Sequence, residues 1–129
     1  MSSVRLSSAP SVQKRIDALM ESHPRGYDLS LDRISGLLDK LGDPQDGLPP
    51  VIHVAGTNGK GSTIAFMRSV LEAAGLSVHV HTSPHLVRWN ERYRIAGKLV
   101  GDEEFCAAID RVAQANDGQL ITVFEILTA

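Results

Sequence analysis

The sequence predicts an α/β fold built on a parallel sheet with flanking helices. Val51-Ile52-His53-Val54-Ala55 is a short, β-branched apolar run bounded by Pro50 and Gly56, as a buried strand would be. A glycine-rich turn and an amphipathic stretch of helical period follow it, and Ser77-Val78-His79-Val80-His81 then reads as a second strand. Strand, turn, helix, strand is a βαβ unit, whose crossover makes its two strands parallel.

The remaining elements follow in order. Residues 1–10 carry two serine pairs and no apolar stretch. They are expected to be disordered or loosely held and do not resemble a secretory signal. From Ser11 to Ser22, Val12, Ile16, Leu19 and Met20 fall at helical spacing, and His23-Pro24-Arg25-Gly26 breaks the pattern. Ser30 can cap a second helix with the apolar stripe Ile34, Leu37, Leu38 and Leu41 and a stop at Gly42. Residues 43–50 form a loop. The helix of the βαβ unit runs from about Ser62 to Ala74, with Ile64, Met67, Val70 and Leu71 on one face, and Gly75 ends it. Arg92 to Ala96 reads as a short strand, with Gly97 and Gly101 bracketing a turn. Asp102 can cap a helix through Asn116 that turns Phe105, Ile109 and Val112 inward, and Asn116-Asp117-Gly118 is a turn. Residues 120–124 are ambiguous. Propensity favours a strand, whereas Thr122-x-x-Glu125 is a capping-box pattern that would start a helix.

Composition narrows the function classes. With 43% hydrophobic and 22% charged residues and a net charge of -2, the chain has the balance of a soluble globular domain without a nucleic-acid or membrane-binding surface. No run approaches the ~18 apolar residues that a membrane helix needs, so the cytoplasm is the expected compartment. The single cysteine, Cys106, excludes an intramolecular disulfide and reads as packing. The last residues, Leu120 to Ala129, are largely apolar and carry no helix stop. Termini are normally polar and exposed, so the chain is expected to be the front part of something longer.

The chemistry centres on Gly56-Thr57-Asn58-Gly59-Lys60-Gly61-Ser62-Thr63, between the first strand and the following helix. Glycines let successive backbone N–H groups turn toward one point, and a helix N-terminus adds partial positive charge. Lys60 can reach a transferable phosphate, and Ser62 and Thr63 place hydroxyls at the helix start. The loop departs from the usual phosphate-loop (P-loop) pattern twice: Val54 stands where the first glycine would be, and Gly61 separates Lys60 from the hydroxyl. The bland reading is a glycine-rich turn with a solvated lysine. His79 and His81 share a strand face near His85, but no cysteine or acidic residue lies close enough in sequence to favour zinc. Trp89 is a ring-stacking candidate that also suits packing.

His53 to Thr63 resembles the phosphate loop of folylpolyglutamate synthase and dihydrofolate synthase, ATP-dependent amide ligases related to the Mur ligases. Gly-Thr-Asn-Gly-Lys is shared across that superfamily, and the Gly61-Ser62-Thr63 ending points to the folate branch. Thr82-Ser83-Pro84-His85-Leu86, Asn90-Glu91-Arg92-Tyr93-Arg94-Ile95, Thr122 to Ala129 and Tyr27 to Ile34 resemble further family segments, in the family's order. The resemblance implies a Mur-ligase-like central ATPase domain, of which residues 1–129 would be the N-terminal part, followed by a glutamate-binding domain absent from this chain. It implies ATP and Mg²⁺ as cofactors, with glutamate and dihydropteroate or a folate as substrates. By resemblance, residues 56–63 bind ATP and Lys60 is catalytic. Ser83 and Glu125 hold the metal, and Tyr27, Asp28, Leu29, Thr122 and Phe124 lie near the pterin. A monomer is expected.

Each of these has a plainer counterpart. Ser83-Pro84 could be an ordinary turn, Glu125 the capping partner of Thr122, and Phe124 core. A Mur-type ligase is the alternative enzyme, although its sugar-nucleotide domain should precede the loop and the chain reaches Gly56 too early for one. An inactive nucleotide-binding fragment is the alternative outside catalysis.

Overall fold

The computed structural model describes residues 7–22, 30–119 and 121–129. The helices are α1 (Pro10–Ser22), α2 (Asp32–Lys40), α3 (Lys60–Ala73), α4 (Asp102–Asn116) and α5 (Val123–Thr128). The strands are β1 (Val80–His81), β2 (Tyr93–Ile95) and β3 (Lys98–Leu99). The chain divides into two compact units, one of Met1–Ser8 with Pro50–Gly101, the other of Ala9–Pro49 with Asp102–Ala129.

The helical unit holds α1, α2, α4 and α5. Pro10 opens α1 at the first helical position, where a missing N–H costs nothing. Val12, Ile16 and Leu19 form its buried face, whereas Met20 is exposed. Helices α1 and α2 each pack on α4 and α5. Their buried side chains, with Leu37, Phe105, Cys106, Ile109, Ile126 and Leu127, make the core; a fully buried side chain of this size stabilises by about 1.5–3 kcal/mol. An exposed bidentate pair joins α1 to α4, with Arg15 Nε to Asp110 Oδ1 at 2.8 Å and Nη2 to Oδ2 at 3.0 Å. Ser30 Oγ accepts from the Asp32 N–H at 3.1 Å, so it tends the start of α2 from one residue outside the N-cap, Leu31. At the other end Gly42 N–H donates to Asp39 C=O and Asp43 N–H to Leu38 C=O, the paired closure of a Schellman motif.

The ambiguity between strand and helix resolves as a helix that starts at Val123. Thr122 is the N-cap of α5, and its Oγ1 accepts from the Glu125 N–H at 3.2 Å. Ile121 and Ile126 occupy the positions of a hydrophobic staple across that cap, and both are buried. Cap and staple together outweigh the β-propensity of the run. The expectation of a loosely held start fails at its end, because Ser8 is buried and its Oγ accepts the Trp89 N–H at 2.9 Å.

The other unit holds α3 and a three-stranded sheet in the order β1-β2-β3, antiparallel throughout. The parallel pairing of the two expected strands does not occur among the described residues. Residues 51–55 form no ladder, with Val51 71% and Ile52 60% exposed, and the second run contributes only Val80 and His81, antiparallel to β2. An apolar run becomes a strand only where a neighbour accepts its backbone groups, and no described residue offers 51–55 that edge. Helix α3 begins at Lys60 rather than Ser62, and its expected inward stripe is only half-buried, with Val70 exposed.

Ala96 and Gly97 link β2 to β3 with φ of 48° and 86°. Two successive left-handed residues make the hairpin turn that matches strand twist. Only Gly97 adopts this without strain, and a Cβ there would lie 3.3 Å from Glu72 Oε1. The loop before β2 hangs on one carboxylate: Glu91 accepts the N–H groups of Leu86 (3.1 Å), Val87 (3.0 Å) and Arg88.

Two outcomes follow. Ala96→Gly should raise stability by up to about 1 kcal/mol by relieving the left-handed strain, read as a higher midpoint in urea. The Arg88 and Leu86 amides hold the Glu91 carboxyl below its ordinary 4.5. A depressed carboxyl contributes order that is complete above its unfolded pKa and lost as pH falls through the folded value. The amide resonances of residues 86–88 should therefore stay fixed down to the ordinary glutamate range and shift only at more acid pH.

Candidate functional site

The segment from Gly56 to Thr63 is exposed throughout. Gly59 caps α3 in the left-handed region, φ 74° and ψ 6°, a conformation that costs other L-residues about 1–2 kcal/mol. The first bond of α3 runs from the Thr63 N–H to the Gly59 carbonyl at 2.9 Å. The amides of Lys60, Gly61 and Ser62 precede it and have no helical acceptor, and no side chain caps them. The first turn carries no acidic residue and begins instead with Lys60. The helix dipole opposes a cation there by roughly 0.3–1 kcal/mol. Open amides, a left-handed glycine and a misplaced lysine all suit an anion at this helix start.

Ser83 lies in the same unit, exposed, in the loop after β1, and the Ser83–Pro84 peptide is cis. Behind it, Arg92 Nε donates to His85 Nδ1 at 2.9 Å, and the Arg92 guanidinium lies 4.5 Å from the centroid of Trp89. The rings of His85 and Trp89 are 4.3 Å apart. Trp89 therefore stacks on residues of its own loop. Burial and then the Arg92 charge lower the His85 pKa, and burial pushes Tyr93 up to about 12. His79 Nδ1 accepts the Ala96 N–H at 2.9 Å, and His81 Nδ1–H donates to the Arg92 carbonyl at 2.9 Å. Among the described residues no group of three His, Cys, Asp or Glu side chains is placed to hold a metal.

Glu125 belongs to the helical unit, on the first turn of α5. Its Oε1 receives Arg33 Nη2 at 2.7 Å, Arg33 Nε at 3.1 Å and Thr122 Oγ1 at 2.8 Å. Burial pushes this carboxyl up, but the bonds from Arg33 and Thr122 and the Arg33 charge prevail and its pKa is lowered. Its Oε2 is buried and has no hydrogen-bond partner among the described residues. A buried, ionised oxygen without a hydrogen-bond donor is of the type that suits a hard cation such as Mg²⁺. The capping reading of Glu125 and Thr122 holds, and Phe124, expected near the pterin or in the core, is 60% exposed. Tyr27, Asp28 and Leu29 lie outside the described residues. The pairing of Arg33 with Glu125 was not legible in the sequence, because nothing local marks a partner 92 residues away.

No family model matches the chain. It is 41% identical over 111 residues to the dihydrofolate synthase/folylpolyglutamate synthase of Bacillus subtilis, a match covering 81% of this chain and 25% of that protein. The chain thus spans about a quarter of that relative's length. The structure of the bifunctional folylpolyglutamate synthase/dihydrofolate synthase of Yersinia pestis, complexed with AMPPNP and a Mn ion, superposes with a TM-score of 0.83 at 32% identity, covering 98% of this chain and 30% of that one. Escherichia coli FolC in complex with DHPP and ADP superposes with a TM-score of 0.79 at 36% identity, over 95% of this chain and 29% of that one. By sequence and by fold, the chain belongs to the dihydrofolate synthase/folylpolyglutamate synthase family, of whose members it corresponds to the N-terminal portion.

Proposed function

We propose that the chain carries the ATP-phosphate site of a ligase joining L-glutamate to dihydropteroate, to folates, or to both. The observation that carries this reading is the uncapped start of α3, with Lys60 where an acidic residue would be expected. The Yersinia and Escherichia proteins, bound to AMPPNP with Mn and to ADP with DHPP, support it. In this reading residues 56–63 are a phosphate loop and residues 51–55 a strand of a parallel sheet. The chain is the N-terminal part of a monomeric, cytoplasmic enzyme with a second domain for glutamate.

The γ-phosphoryl group of ATP passes to a substrate carboxylate oxygen, and its bond to the β,γ-bridging oxygen breaks to leave ADP. The glutamate amine attacks the carbonyl carbon of the acyl phosphate, the bond to phosphate breaks, and the amine loses a proton as the amide forms. The first step brings two anions together; like unit charges 4 Å apart repel by about 4 kcal/mol at an effective dielectric constant of 20. The amides of residues 60–62 and the Lys60 ammonium offset that repulsion and hold the phosphates in line. A divalent cation supplies further neutralisation when bound, and Ser83 and Glu125 are the residues proposed to hold it. Tyr27, Asp28, Leu29, Thr122 and Phe124 are proposed to face the pterin, for which the exposed Phe124 ring is a stacking surface.

Calorimetry of Mg²⁺-ATP with the chain and with Lys60→Ala tests the phosphate site. A charge-assisted bond is worth about 1.5–3 kcal/mol, so the substitution should weaken binding about tenfold or more. Equal affinities would remove Lys60 from the site. Without nucleotide, Lys60→Ala should leave the thermal midpoint unchanged or slightly higher, because the helix dipole no longer faces a cation; a lower midpoint would mean that the lysine is there for stability. Dihydropteroate should tighten nucleotide binding if the folate assignment holds.

A further inference from the structure

We propose that Arg33 is a positioning residue that aims Glu125 at the divalent cation. The inference rests on the reading of Glu125 as a cation ligand, and its evidence is the pairing geometry. Among the described residues of the helical unit, the arginine–carboxylate pairs Arg15–Asp110 and Arg33–Glu125 differ in geometry. Arg15 meets Asp110 fork to fork, Nε on Oδ1 at 2.8 Å and Nη2 on Oδ2 at 3.0 Å. That is the strongest arrangement for a simple ion pair, since each carboxylate oxygen receives a donor. Arg33 sets both its Nε (3.1 Å) and its Nη2 (2.7 Å) on the one oxygen Oε1 of Glu125.

Thr122 Oγ1 adds a third donor to that same oxygen at 2.8 Å. Three donors saturate Oε1, while Oε2 is buried with no partner among the described residues. The side chains of Arg33 and Glu125 are 18% and 12% exposed, so little water reaches the pair. A buried, ionised oxygen without a donor is costly, and ion pairing alone would have removed that cost by sharing the fork. The arrangement instead fixes the carboxylate plane from one side and leaves one oxygen for an outside cation. Ligating carboxylates are commonly held this way, and loss of the holding residue costs ~10–100-fold in metal affinity.

The test uses the 129-residue chain with Mn²⁺ as the probe, in the presence of AMPPNP, following free Mn²⁺ by electron paramagnetic resonance. Arg33→Gln should weaken Mn²⁺ binding about tenfold or more, with metal-free AMPPNP affinity unchanged. Arg33→Lys, which keeps the charge without the fork, should fall between. Arg33→Gln binding Mn²⁺ as well as or better than wild type would overturn the proposal, since Arg33 would then be a counter-charge that the cation must overcome. Should Arg33→Gln lose its helical circular dichroism, Arg33→Lys decides, and wild-type affinity in that variant overturns the orienting role. Glu125→Gln tests the underlying reading separately: Mn²⁺ binding unaffected there removes Glu125 as a ligand. A wild-type chain that takes up no Mn²⁺ removes both.

Discussion

Backbone N–H groups at the start of a helix need acceptors that the helix cannot supply, and the handling of those groups organises this chain. Pro10 removes one from α1. Ser30 answers one in α2, and Thr122 one in α5. Asp102, Glu103 and Glu104 place negative charge at the start of α4. Glu91 does the same service for a loop, gathering three amides on one carboxylate. Helix α3 departs from this pattern, with open amides and a lysine in its first turn. A local rule broken without internal compensation is expected at a functional site, and here the missing partner has the character of an anion.

Glu125 shows how one side chain can meet two demands. Its place at the third position of α5 makes it the natural partner of Thr122, which is the structural reading of the pattern. Arg33 and the Thr122 hydroxyl both donate to Oε1, the Glu125 amide donates to Thr122 Oγ1, and Oε2 has no hydrogen-bond partner among the described residues. The capping role and a cation-binding role therefore use different atoms, and neither needs to displace the other.

The two units differ in how much apolar surface they bury. The helical unit closes a core from four helices, whereas Val51, Ile52, Phe66 and Val70 of the other unit are 71%, 60%, 73% and 68% exposed. Burial near 25 cal/mol per Å² is the main source of stability, so the helical unit is the better stabilised of the two. The catalytic candidates on α3 sit in the less buried one, where local geometry is held by hydrogen bonds and turn conformations more than by packing.

What the sequence determined by itself was local or motif-borne. Helical spacing and glycine stops placed α1, α2, α3 and α4, because each reports contacts within a turn or two of the chain. The family was legible from residue types in order. Pairing was left to the tertiary structure. Residues 77–81 carry the composition of a strand in either direction, and the loop gathered on Glu91 brought β2 back beside Val80 and His81 antiparallel. Thr122 outweighed the β-propensity of its neighbours only because Ile121 and Ile126 could both be buried. Arg33 met Glu125 across 92 residues. Composition and period describe what a segment can do; which partner meets it is decided by a fold that brings distant residues within a few ångströms.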